Sequence, residues 1–347
     1  MRKTRFFIPS LVSLLGLVFL FPVLGWTLEH GSVAVNTLAI PWLKAPKDFP
    51  GTLDKGCWTE AAQTTGFLDL QGRKMAANQT RLFMFYTDDS LWAAFRCLEP
   101  ENSKMVLQVK EKDGPVWRDS SVEVFLDPMQ TRKEYFQFVV NPLGILYDGK
   151  NMDGTWNSKA QINSVTDEKG WTAFLRIPFA DLGVTPKQGD VWVANFCRSR
   201  TIEDRTSWSR LIGSYTDPVR FGQILFAGKN FKPLQVTEIK PLRMGKNDFP
   251  VQKGAFHFRI AGNNVKFERV FSIETEGRDS CAFTLNNDEV QSLTIGLKDR
   301  DGRDLAEMYL PMESSRLSAD ASQLKRTVSV IKAQKMGFPE AMQQRII

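Results

Sequence analysis

The chain has 347 residues, 42% of them hydrophobic, and a formal charge of +6 from 45 basic and 39 acidic side chains; that length predicts two domains of ordinary globular composition. Three of the positive charges, Arg2, Lys3 and Arg5, sit at the extreme N-terminus. The remainder interleaves with acids and leaves no basic run that could track phosphates, which argues against a nucleic-acid partner.

The first 25 residues read as an export leader. Arg2, Lys3 and Arg5 form a positive start, residues 6–24 form an apolar run, and Val23 and Gly25 are small enough to flank a cut before Trp26. An uncleaved anchor is the rival reading, and the only route to a membrane that the sequence offers. The expected location is outside the cytoplasm: secreted, periplasmic or at the cell surface.

Residues 26–50 form an arm punctuated by Pro41, Pro46 and Pro50, and residues 51–228 then carry a dense series of short strands. Residues 81–86 and 91–98 flank a Thr87-Asp88-Asp89-Ser90 turn and read as a hairpin. In 121–127, Val122, Val124 and Leu126 alternate with Ser121, Glu123, Phe125 and Asp127; in 135–141, Phe136, Phe138 and Val140 alternate with Tyr135, Gln137, Val139 and Asn141. Residues 171–177, 191–199 and 221–226 complete the series. Short alternating strands without helical periodicity predict an all-β, antiparallel β-sandwich. The polar residues of the mixed faces supply donors and acceptors for hydroxyls, and the aromatic ones pack against apolar ring faces.

A linker is expected over 229–250, a smaller β-rich module over 251–312, and a helical tail over 313–347, capped by Ser318 and ended by Gly337 and Pro339. The four cysteines, Cys57, Cys97, Cys197 and Cys281, form no C-x-x-C pair; disulfides and isolated thiols both fit. The two histidines, His30 and His257, have no neighbours that would make a nucleophilic triad. Glu123 and Asp127, four residues apart on one strand, lie roughly 13 Å apart at about 3.3 Å per residue. Glycosidase carboxylates need about 5–5.5 Å or about 6.5–9.5 Å. A non-catalytic protein is therefore expected.

An ordered set of landmarks resembles carbohydrate-binding modules of family 9. It runs from Gly51-Thr-Leu-Asp54 with Cys57-Trp58, through Trp117-Arg-Asp119-Ser-Ser-Val-Glu123-Val-Phe-Leu-Asp127-Pro and Tyr135-Phe-Gln137-Phe-Val-Val-Asn141. It continues through Gly189-Asp-Val-Trp192-Val-Ala-Asn195 with Arg198 to Ser207-Trp208-Ser209 and Tyr215-Thr-Asp217-Pro218-Val-Arg-Phe221-Gly222. The resemblance implies that Trp117 and Tyr215 are two aromatic walls gripping a sugar, with Glu123 and Asn141 bonding its hydroxyls and Gln137 beside them. Val139 stands where the family can carry an arginine, and Arg198 is the expected substitute. The resemblance also allows structural calcium, with Asp54, Asp88, Asp89, Asp119 and Asp127 as oxygen donors. Two alternatives remain: a structural or adhesion module without a small ligand, and a haem-binding redox module of the related DOMON type. The latter would draw on Met84, Met105, Met129 or Met152.

Overall fold

The computed structural model describes residues 35–49, 51–233, 240, 242–243, 245–250, 257–262, 271–274, 280–285, 292–298 and 304–311. The leader and the helical tail lie outside them.

In chain order the strands are β1 (Thr37–Ile40), β2 (Ala62–Thr64), β3 (Leu68–Asp69), β4 (Thr80–Tyr86), β5 (Ser90–Leu98), β6 (Ser121–Asp127), β7 (Phe136–Val140), β8 (Leu146–Lys150), β9 (Gln161–Asp167) and β10 (Gly170–Pro178). One turn of helix, α1 (Phe179–Leu182), follows, and then β11 (Val191–Ser199), β12 (Arg205–Ser207) and β13 (Gly222–Phe226). The later strands are β14 (Gly245–Pro250), β15 (His257–Gly262), β16 (Phe271–Glu274), β17 (Ser280–Leu285), β18 (Ser292–Lys298) and β19 (Asp304–Pro311).

Two sheets form the sandwich. The smaller has the order β2-β4-β5-β10-β9; the larger runs β16-β15-β18-β19-β1-β13-β11-β6-β7-β8, with β12 paired to β11 and β3 to β12. Every second residue of the central strands turns inward, so Leu82, Met84, Ala93, Phe95, Ala173 and Leu175 meet Val122, Val124, Leu126, Phe138, Trp192 and Phe196 in one core. A fully buried Phe or Leu side chain contributes about 1.5–3 kcal/mol of transfer free energy, and only the alternation seen in the sequence puts all of them on one side.

The expected all-β sandwich is observed, and the hairpin at Thr87–Ser90 closes with Thr87 N donating to Ser90 O at 2.9 Å. The arm contributes β1, which runs parallel to β13 and antiparallel to β19. Through that one strand, β19, β18 and β15 of the expected smaller module continue the larger sheet, while β14, from the expected linker, pairs with β17. Asn36 sits at the seam: its Oδ1 accepts from Tyr309 N at 3.0 Å and its Nδ2 donates to Trp208 O.

Candidate functional site

The outer face of the larger sheet carries the residues that turn away from the core: Glu123 and Phe125 on β6, Gln137 and Val139 on β7, Tyr147 on β8, Asn195 and Cys197 on β11. Glu123 lies opposite Val139 on one side and Cys197 on the other, and Val139 lies opposite Tyr147.

Glu123 is buried, and Gln137 Nε2 donates to its Oε2 at 2.8 Å. Burial pushes the Glu123 carboxyl up to about 7, against the lowering pull of the Gln137 hydrogen bond and the Arg205 charge. Tyr147 lies in the same electrostatic neighbourhood. Burial raises its hydroxyl first, helped by Asp113, Asp153, Asp148 and Glu123.

Trp117 is the exposed aromatic of this face, at 42% accessibility. It belongs to a 3-10 turn over Val116–Arg118 that opens β6. Val116 is buried with Val139 and Tyr147, so the turn is anchored by one residue and presents the next to solvent. The Trp117 and Tyr147 rings stand edge to face, 4.9 Å between centroids and 77° between planes. Two glycines make room for Tyr147: a Cβ at Gly149 would lie 2.9 Å from its hydroxyl oxygen, and one at Gly154 3.1 Å from its Cε2.

The rest of the Trp117 motif holds the loop in place. Asp119 accepts from Gln108 N at 3.0 Å and Val109 N at 2.9 Å. Ser120 Oγ accepts from Val106 N at 3.0 Å and donates to Arg200 O at 2.7 Å. Asn141 donates to Val109 O at 2.9 Å and Asp119 Oδ2 at 3.1 Å, and accepts from Leu143 N at 3.1 Å and Ile145 N at 3.0 Å. With two donors and two acceptor sites occupied and no exposed surface, Asn141 positions the loop and has no capacity left for a sugar hydroxyl.

Two further expected site residues are closed off from solvent. Tyr215 is buried with Phe125, Tyr135 and Phe221, and its hydroxyl donates to Arg198 O at 2.7 Å; it is a core residue of the loop layer and cannot be a solvent-facing wall. Arg198 shares the inward face of β11 with Phe196, because residues two apart on a strand point the same way. Its guanidinium crosses to the other sheet, donating to Leu98 O at 2.8 Å and to Glu99 Oε2 at 3.3 Å. It is therefore on the opposite side of the sheet from Glu123. Val139, the position without the family's arginine, is closed over by Val116 and Tyr147. Glu123, Gln137 and Trp117 lie on the outer face, against which Tyr215 also packs under its own loop layer. Tyr147 was missed; its signal in the sequence is the pair of glycines, Gly149 and Gly154, around which the ring fits.

The five aspartates considered as calcium ligands do not gather. Asp54 accepts from Thr52, Asp88 from Trp42, Asp89 from Thr87 and Arg176, Asp119 from the loop amides, and Asp127 from Arg132 N at 2.6 Å. Among the described residues no group of three or more His, Cys, Asp or Glu side chains could hold a metal ion. Of the methionines considered for haem, Met84 is in the core, Met105 packs against it, and Met129 and Met152 are each 70% exposed. Cys57, Cys97 and Cys197 are free thiols.

No family model and no curated protein matches the chain. Solved structures similar to it include a family 9 carbohydrate-binding module from Caldicellulosiruptor kristjanssonii, in complex with cellotriose, at 16% identity and TM-score 0.42. The match covers 59% of this chain and all of that one. The same module in complex with glucose matches at 15% and 0.42, over 59% of this chain and all of that one. A candidate carbohydrate-binding protein from Bacteroides uniformis ATCC 8492 matches at 18% and 0.43, over 56% of this chain and all of that one.

Proposed function

We propose that this protein is an exported, non-catalytic carbohydrate-binding protein that holds a sugar ring against Trp117 on the outer face of the larger sheet. The observation that carries the reading is the exposed indole of Trp117, standing edge to face with Tyr147. Glu123 and Gln137 lie on the same sheet face. An indole face packs on the C–H face of a pyranose, and the buried Glu123–Gln137 pair lies within the sheet face that supports it. Tyr147 is buried beneath Trp117 and fixes the indole edge to face; Trp117 is the one wall of the proposed site. The carboxylates on this face support binding without turnover: Glu123 is engaged by Gln137, and Asp127 is held by Arg132 N and Thr131 Oγ1 in the turn after β6. Export rests on the leader read from the sequence. Among the described residues no helix is long and apolar enough to cross a membrane.

The test is calorimetric titration of the protein, purified from Trp26 onward, with neutral mono- and oligosaccharides. Saturable binding that Trp117→Ala abolishes, with unchanged circular dichroism and no product released, supports the reading. Absence of binding across the panel, or binding indifferent to Trp117→Ala, overturns it in favour of a structural or adhesion module.

A further inference from the structure

The outer face of the smaller sheet holds a concentration of cationic and donor groups that nothing in the sugar-binding reading uses. Arg81 on β4 and Arg96 on β5 are direct cross-strand partners, and Arg96 is paired in turn with Thr172 on β10. They continue the face that carries Phe83, Phe85, Trp92 and Phe174, which lies under Leu43, Phe49, Leu53 and Trp58. Like charges directly opposite one another destabilise a sheet unless something neutralises them.

Among the described residues, one carboxylate is paired with either arginine. Arg96 Nη2 donates to Asp167 Oδ1 at 2.8 Å, and the same oxygen also accepts from Lys169 N at 2.8 Å. Arg96 Nη1 reaches Thr172 Oγ1 at 3.5 Å. Arg81 has no carboxylate partner among the described residues. Its guanidinium stands 5.7 Å from the centre of the Phe83 ring. Burial and the Arg96 charge both lower its proton affinity, and no anion offsets them. A third donor, Gln63 Nε2, lies on the same face: Gln63 is opposite Phe83, is 5% exposed, and its amide nitrogen has no hydrogen-bond partner.

We propose that Arg81 and Arg96 form a second binding site, for an oxyanion carried on a polysaccharide: the carboxylate of a uronic acid or a sulfate ester. A guanidinium offers two parallel N–H donors that match either group, and two guanidiniums side by side in a partly dry setting accept a negative charge that water holds less tightly there. The donors present, two guanidiniums, the Thr172 hydroxyl and the Gln63 amide, suit an acceptor-only ligand. The proposal takes from the sugar-binding reading only that the ligand is a glycan; the site lies on the other sheet from Trp117, so the two readings fail independently.

The full chain is titrated with polygalacturonate, dextran sulfate and neutral dextran at fixed ionic strength, as wild type, Arg81→Gln, Arg81→Lys and Trp117→Ala. We expect saturable binding of at least one polyanion in excess of neutral dextran, weakened about tenfold or more by Arg81→Gln and partly kept by Arg81→Lys, with the excess over neutral dextran persisting in Trp117→Ala. Binding of polygalacturonate alone assigns the carboxylate, and of dextran sulfate alone the sulfate. The unliganded Arg81→Gln protein melts no lower than wild type, because it loses a repulsion; a residue with a merely structural role would melt lower. No saturable binding of either polyanion, or equal binding by Arg81→Gln, overturns the site.

Discussion

Asn141 Nδ2 donates to Asp119 Oδ2 at 3.1 Å, and this hydrogen bond ties the end of β7 to the loop that carries Trp117. Asp119 has three donors on it in all, two of them backbone amides of the same loop. Neither residue is accessible to a ligand.

Removing that tie is expected to cost both stability and binding. Asp119→Ala leaves the buried Asn141 amide and two partly exposed backbone N–H groups without their acceptor, a loss of roughly 1–3 kcal/mol. It also frees Trp117 to move relative to Tyr147, so affinity for a neutral sugar falls as well. Urea unfolding reads the first effect and titration at a temperature where the variant is folded reads the second. Full affinity in a folded Asp119→Ala protein would mean that the loop does not depend on this carboxylate.

Glu123 predicts a pH dependence of stability. Its folded carboxyl is raised from 4.5 to about 7, so the folded state binds the proton more tightly than the unfolded one. The contribution is therefore fully present below about pH 4.5 and is lost as pH rises toward 7. The whole span amounts to about 3 kcal/mol. Glu123→Gln, which cannot ionise, is expected to be more stable than wild type at pH 8 and to lose that advantage at pH 4.5. Melting curves at the two pH values check it; an advantage of equal size at both would show that burial does not govern this group.

Tyr215 and Trp117 are expected to behave oppositely. Tyr215→Phe removes the hydroxyl that donates to Arg198 O at 2.7 Å, a loss of about 1 kcal/mol, and leaves sugar affinity unchanged. Trp117→Ala removes an exposed ring, costs little stability and abolishes binding. If Tyr215→Phe lost affinity at unchanged stability, a binding role for the buried tyrosine would have to be restored.

The two sheets are joined by an ion cluster that is expected to matter more than the surface pairs. Glu99 accepts from Arg198 Nη2 at 3.3 Å and from Arg200 Nε at 2.7 Å, with Glu99 and Arg198 both buried. Burial opposes ionisation of Glu99, but the Arg200 hydrogen bond and the Arg200 and Arg198 charges outweigh it and hold the carboxyl below its usual range. Its stabilisation is present above the ordinary glutamate value and is lost as pH falls through the lower folded one. Glu99→Gln strands the buried Arg198 charge, at a cost of about 3–5 kcal/mol by denaturant unfolding. The exposed Lys104–Glu101 pair, removed in the same way, changes stability by less than about 1 kcal/mol.

The strands of the sandwich were legible because their signal is local. In β6 and β7 the alternation alone separated Val122, Val124 and Phe138, which are in the core, from Glu123 and Gln137, which are on the outer face. The same rule places Arg198 with Phe196 on the inward side of β11; its assignment to the sugar site followed the resemblance and not the two-residue period. The exposed position of Trp117 was expected from the resemblance alone, since a three-residue turn has no period to read.

By itself the sequence determined the strands β4 to β7, β10, β11 and β13 and which face of the alternating ones is apolar, because side-chain direction on a strand is fixed by position along the chain. Only the tertiary structure decided which strands became neighbours: that β1 would lie between β13 and β19, that Tyr215 would be covered by its own loop layer, and that Tyr147 would stand against Trp117. Those outcomes depend on register and packing between residues far apart in the chain. The net free energy of many such contacts selects them, and no local pattern encodes that sum.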